Sequence, residues 1–153
     1  MRDLLAAHRF TSGFPEGLVD ELAACALGTV RWEPGTVIFR QGQQADRCYL
    51  ITHGDVALEI HSPGAQPRIV QTVNGGEVLG WSWIFAPFRW SFDARALTST
   101  EAIELDGARL REDGACDLPA EYRYLLMARF ARLIVDRLHA TRLQLLDVYA
   151  SRD

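Results

Sequence analysis

The sequence predicts a mainly β fold, an antiparallel sandwich or barrel flanked by helices, and three observations predict it. Turn signals punctuate the middle of the chain about every ten residues: Pro34-Gly35, Gln41-Gly42, His53-Gly54, Pro63-Gly64 and Asn74-Gly75-Gly76. The runs between them are rich in β-branched and aromatic residues. Helical periodicity holds both ends.

Taken in order, Pro15 followed by Glu16–Ala26 reads as a short helix, with Leu18, Leu22 and Cys25 or Ala26 on one side. Strands follow at Thr36–Phe39, Cys48–Thr52, Val56–Ile60 and Arg68–Val73. In the third, Val56, Leu58 and Ile60 alternate with Ala57, Glu59 and His61, which predicts one buried face and one wet face. Ser91–Thr98 and Ala102–Leu105 continue the pattern, so the barrel spans about 27–106. A long helix then covers about 119–149, with Pro119 suited to its first turn.

That helix carries two apolar stripes. Leu126, Phe130 and Leu133 form one and are expected to face the barrel. Met127, Ala131, Ile134, Leu138, Thr141, Leu145 and Val148 form an unbroken heptad seam. Two stripes call for two surfaces, and a homodimer through this helix is the expected second one. The alternative is a tail folded back on its own barrel.

Composition excludes several functions. The chain has 153 residues, 48% hydrophobic and 24% charged, the balance of a single soluble domain. All 16 basic residues are arginine. Without lysine there is no P-loop lysine, no Schiff base and no lysine general base. A net charge of −4 argues against nucleic acid as a partner of this chain alone. No apolar run reaches the roughly 18 residues of a membrane span, and the first ten residues do not read as a secretory signal. Cys25, Cys48 and Cys116 are odd in number and far apart, with no Cys-x-x-Cys pair, which suits reduced thiols in the cytoplasm. The chain ends soon after the long helix, so no further domain, and no DNA-binding domain, is expected.

The series Pro34-Gly35, Gly42, Tyr49-Leu50-Ile51, Gly54, Gly76-Glu77-Val78-Leu79-Gly80 and Arg137-Leu138-His139-Ala140-Thr141 resembles the cyclic-nucleotide-binding domain, in particular the sensor half of catabolite-activator-type bacterial regulators. The likeness covers roughly residues 10–148. It implies an antiparallel jelly-roll (double-stranded β-helix) barrel with a short N-terminal and a long C-terminal helix. It also implies a regulatory module rather than an enzyme, with no metal and no bound cofactor.

The chain departs from that family in the segment that binds the cyclic phosphate. The family pattern is Gly-Glu-x-Ala-Leu on a one-turn helix, then Pro-Arg-Ser/Thr-Ala opening a strand. In it the arginine and backbone amides hold the phosphate, and the glutamate takes the ribose hydroxyl. Here Gly80, Trp81 and Ser82 open the first part, with Trp81 in place of the glutamate. Arg89, Trp90 and Ser91 open the second, with Trp90 in place of the arginine. Thr141 matches a helix residue that contacts the purine.

Six aromatic residues (Trp81, Trp83, Phe85, Phe88, Trp90 and Phe92) crowd into this segment. They read either as a re-specialised pocket for a flat or apolar ligand or a partner's side chains, or as packing that fills a vestigial one. Arg89 would replace the missing arginine only through a one-residue slip, which reverses the face a side chain occupies. Cyclic AMP and cyclic GMP are therefore expected to bind weakly or not at all. The alternative from another class is a small metal-dependent β-barrel (cupin-like) enzyme using His53, Glu59 and His61. Strand alternation opposes it by turning Glu59 and His61 to water. His8 and His139 have no acidic or cysteine partner at ligand spacing, and surface positions are expected for both.

Overall fold

The computed structural model describes residues 1–111 and 116–150. They fall into two compact units, Met1–Leu118 and a second beginning at Pro119. In the first unit, helix α1 (Arg2–Ala7), a 3-10 turn (Arg9–Thr11) and helix α2 (Glu16–Ala24) precede eight strands, and the short helix α3 (Gly107–Leu110) follows them. Pro15 sits just before α2, where a missing N–H costs nothing, and Leu18, Val19 and Leu22 are its buried face.

The strands are β1 (Ala26–Trp32), β2 (Val37–Phe39), β3 (Arg47–His53), β4 (Asp55–Ile60), β5 (Arg68–Asn74), β6 (Val78–Leu79), β7 (Asp93–Ala96) and β8 (Thr100–Asp106). They form two four-stranded antiparallel sheets, ordered β1-β8-β3-β6 and β2-β7-β4-β5. This is the expected jelly roll. Except for the β4–β5 hairpin, consecutive strands fall in opposite sheets, so inward side chains from both meet in one core. Phe39, Ile51, Val56, Leu58, Val73, Leu79 and Trp90 fill it, with Ala94 and Ala102 leaving room for the indole.

Glycine is required where the chain turns against itself. Gly54 joins β3 to β4 at φ +101°, and a Cβ there would lie 2.6 Å from the Ser99 carbonyl. No L side chain fits that corner.

Several expectations need correction. The helix expected at Glu16–Ala26, α2, stops at Ala24, because Ala26 already pairs with Leu105 across β1 and β8. The strand expected at Ser91–Thr98 is ordered only over Asp93–Ala96. Strand β4 does not alternate cleanly between core and water. A register shift falls between Leu58 and Glu59, and Ile60 is exposed while Glu59 is only 3% exposed. His8 is buried rather than on the surface: its Nδ1 accepts from the Phe10 N–H at 3.1 Å, and its Nε2 lies 2.8 Å from the Ile51 carbonyl.

The second unit is helix α4 (Ala120–Ala150), whose 31 residues extend about 46 Å. Leu126 and Phe130 are its buried residues. Met127 and Ile134 are half-buried, Leu138 is 46% exposed, and every residue from Thr141 to Ala150 is exposed. No described helix is long and apolar enough to cross a membrane.

Candidate functional site

The site grows out of the glycine that ends β6. Gly80 has φ +95°, and a Cβ added there would fall 2.7 Å from the Trp90 ring. Only glycine lets the backbone reverse while an indole lies against its Cα. From Gly80 the chain runs through successive turns rather than a helix. The Ile84 N–H donates to the Trp81 carbonyl at 3.0 Å, and the Phe88 N–H to the Phe85 carbonyl at 2.9 Å.

Trp83 is fully buried and its indole N–H donates to the Gly80 carbonyl at 3.1 Å, so it anchors the turn from beneath. Phe85, in contrast, is exposed. Arg111 ties the far end down. Its Nε and Nη2 donate to the Trp83 and Ala45 carbonyls, both at 2.6 Å, and its guanidinium stacks 3.8 Å over the Phe88 ring.

Residues 88–90 then pair with 42–45. Ala45 donates to the Phe88 carbonyl at 2.7 Å, Trp90 to Gln43 at 3.0 Å, and Gly42 to Trp90 at 2.9 Å. This pairing decides which side chains face inward. Trp90 turns into the core, is 6% exposed, and stacks on Phe39 with ring centroids 3.8 Å apart and planes 8° from parallel. Its neighbours Arg89 and Ser91 are both exposed.

An open pocket of about 470 Å³, counting solvent at its mouth, lies beside this stack. Its apolar walls are Phe39, Leu58, Val73, Val78, Trp81, Trp90 and Phe92. Gln71, Ser82 and Ser91 supply its polar side chains. Five of the expected residues thus come together: Gly80, Trp81, Ser82, Trp90 and Ser91 all line it.

Arg89 is not among the lining residues. Being adjacent to an inward Trp90, it points outward, and its Nη1 donates to the Gly42 carbonyl at 2.9 Å. Thr141 belongs to α4, where its hydroxyl donates to the Arg137 carbonyl one turn back. No lining residue carries a charge. A cyclic phosphate placed there would lose water without gaining an ion pair.

The residues weighed for a metal are committed elsewhere. Both Glu59 oxygens accept from Arg95, at 2.8 and 3.0 Å, and that guanidinium holds the carboxyl below the usual carboxylate range. His61 reaches Asp93 at 3.0 Å, while His53 is exposed at the Gly54 corner. Among the described residues, no three His, Cys, Asp or Glu side chains are placed to share a metal ion.

Sequence reasoning missed the Arg111 clamp and a contact between Cys25 and Cys116. Their partners lie 28, 66 and 91 positions away, and no local pattern encodes them.

Comparison with known proteins gives the site its context. The chain is 26% identical over 148 residues to a CRP-like cAMP-activated global transcriptional regulator of Mycobacterium tuberculosis. That match takes in 97% of this chain and 63% of the relative, so the chain spans less than two thirds of the curated protein. A solved putative cyclic nucleotide-binding protein from Geobacter metallireducens has a TM-score of 0.76 at 26% identity, covering 90% of this chain and 98% of that one. The Thermus thermophilus catabolite activator protein shares the fold, with a TM-score of 0.65 at 23% identity over 93% of this chain and 63% of that one. The family model for the cyclic nucleotide-binding domain matches residues 29–112, from β1 through the pocket to the corner after β8. With the jelly roll, the glycine corners and the pocket in their places, the chain belongs to the cyclic nucleotide-binding domain family.

Proposed function

We propose that the chain is a non-catalytic regulatory module whose pocket no longer clamps a cyclic phosphate. It answers instead to a different small molecule or to a protein partner. One observation carries the reading. At the position where the family resemblance puts the phosphate arginine, Trp90 lies buried and stacked on Phe39 at 3.8 Å.

An arginine–phosphate contact is charge-assisted and contributes about 1.5–3 kcal/mol. Its loss, together with that of the ribose carboxylate at Trp81, weakens cyclic nucleotide binding by a factor on the order of 10² to 10⁴. The reading departs from the cAMP activation named for the Mycobacterium relative. It keeps Gly80, Trp81, Ser82, Trp90 and Ser91 as the ligand-facing set, with Arg89 turned outward to the Gly42 carbonyl and Thr141 on α4.

The module acts as a homodimer through Met127, Ile134, Leu138, Thr141, Leu145 and Val148, in the cytoplasm and without a bound metal or cofactor. The exposed apolar residues Leu138, Leu145 and Val148 support that seam.

Three of the four tryptophans lie in residues 81–90, so intrinsic fluorescence reports pocket occupancy directly. Titration with cyclic AMP or cyclic GMP is expected to give no saturable change below the millimolar range. A saturable change at micromolar nucleotide would overturn the reading.

A further inference from the structure

Cys25 closes the C-terminus of α2, and Cys116 lies 91 positions further along the chain. Neither is part of a disulfide, and the Cys25 Sγ is 2.9 Å from the Cys116 Sγ. A disulfide needs about 2.0 Å, so closing the gap takes a movement of roughly 0.9 Å, within reach of small side-chain rotations.

The backbones on both sides are already fixed to one corner of the barrel. The Cys25 carbonyl accepts from the Asp106 N–H at 2.9 Å, and the Cys116 N–H donates to the Arg109 carbonyl at 3.0 Å. Arg109 also donates through Nη1 to the Ala24 carbonyl at 3.4 Å, beside Cys25. The pair is thus held by structure, and nothing must unfold for its sulfurs to meet.

We propose that Cys25 and Cys116 are a peroxide-sensitive modification site, a dithiol that closes reversibly to a disulfide and ties the end of α2 to the segment leading into α4. Cys116, 6% exposed against 0% for Cys25, is the sulfur that a small oxidant reaches first. Its sulfur attacks hydrogen peroxide, the O–O bond breaks, and the departing hydroxide takes up the thiol proton, leaving a sulfenic acid and water. Cys25 then attacks the sulfenic sulfur. The S–S bond forms, the S–O bond breaks, and the oxygen leaves as water with the Cys25 proton. In sum, two thiols and one peroxide give one disulfide and two waters. A dithiol reductant restores the pair.

Burial, then the contact with Cys116, pushes the Cys25 thiol up to about 12, so Cys25 enters the second step as the thiol and its proton leaves with the water. The inference is independent of what the pocket binds.

The test uses the full chain, incubated with hydrogen peroxide or with a reductant and then mapped by mass spectrometry without reduction. The oxidised protein is expected to be two hydrogens lighter, with Cys25 and Cys116 in one crosslinked peptide that dithiothreitol separates. Because the bond would enclose most of the barrel, the thermal midpoint should rise by roughly 5–15 °C on oxidation. Cys48→Ser should keep the crosslink and the shift, while Cys116→Ser and Cys116→Ala should lose both. Sulfinic acid on Cys116 beside reduced Cys25, or crosslinks mapping to Cys48 or only between chains, would overturn the proposal. Mapping of the unsubstituted chain decides the matter even where a variant fails to fold.

Discussion

Trp90 governs the pocket because its indole is both wall and core. Stacked on Phe39 and pressed against Gly80, it fills space that a smaller side chain would leave open. Trp90→Ala should cost about 3–5 kcal/mol, read as a fall of about 10 °C in thermal midpoint. Gly80→Ala forces a left-handed alanine into the same ring and should cost about 2–4 kcal/mol.

His8 makes a different kind of prediction. With Nδ1 accepting from Phe10, Nε2 must carry the proton it donates to Ile51, so the ring is neutral. Burial, then Arg9, lowers its pKa from the ordinary value near 6.5. Below that pH the unfolded chain binds the proton more readily than the folded one. Stability is therefore full above about pH 6.5 and falls as the solution is acidified through it. The contribution of Glu59, whose pKa is also lowered, is lost only below about pH 4.3, so the two windows separate. Melting His8→Gln beside the parent at pH 7 and pH 5.5 should show a smaller drop for the variant. An equal drop would remove His8 as the cause.

Neither His8 nor Glu59 was legible as buried in the sequence. Polarity alone sends both to water, and their partners Ile51 and Arg95 lie 43 and 36 positions away.

At the scale of elements, the sequence carried most of the fold. The glycine corners mark real turns, with Gly35, Gly42, Gly54, Gly64 and Gly76 all at positive φ. Strand β4 and helix α4 fall within a residue or two of their expected ends. The seven-residue strand β1 went unread, although the barrel was expected to start near residue 27. What else stayed hidden was short: α1, the two residues of β6, and the four-residue helix Gly107–Leu110 capped by the Asp106 side chain. Such pieces are too brief for a period to show. The exposed half of α4 is where element-level reasoning predicts most. Ile134→Glu with Leu138→Glu puts two charges per helix into the proposed seam, at a cost of several kcal/mol. Light scattering should find the parent dimeric at high micromolar concentration and the double variant monomeric. A monomeric parent would remove the seam.

For the molecule as a whole, the glycine series in register was enough to read the family, while the departure proposed at Trp81 and Trp90 awaits its test. The pocket's full lining was not readable. Phe39, Leu58 and Val73 reach it only because β2, β4 and β5 share a sheet, and sheet order is not local information. In the proposed function, this jelly roll presents an uncharged aromatic pocket where the family resemblance implies a phosphate clamp. Isothermal calorimetry of the full chain with cyclic AMP tests it most directly. No saturable heat is expected below millimolar nucleotide. A stoichiometric isotherm with a micromolar dissociation constant would contradict it and would point to Arg89 as the substitute anchor.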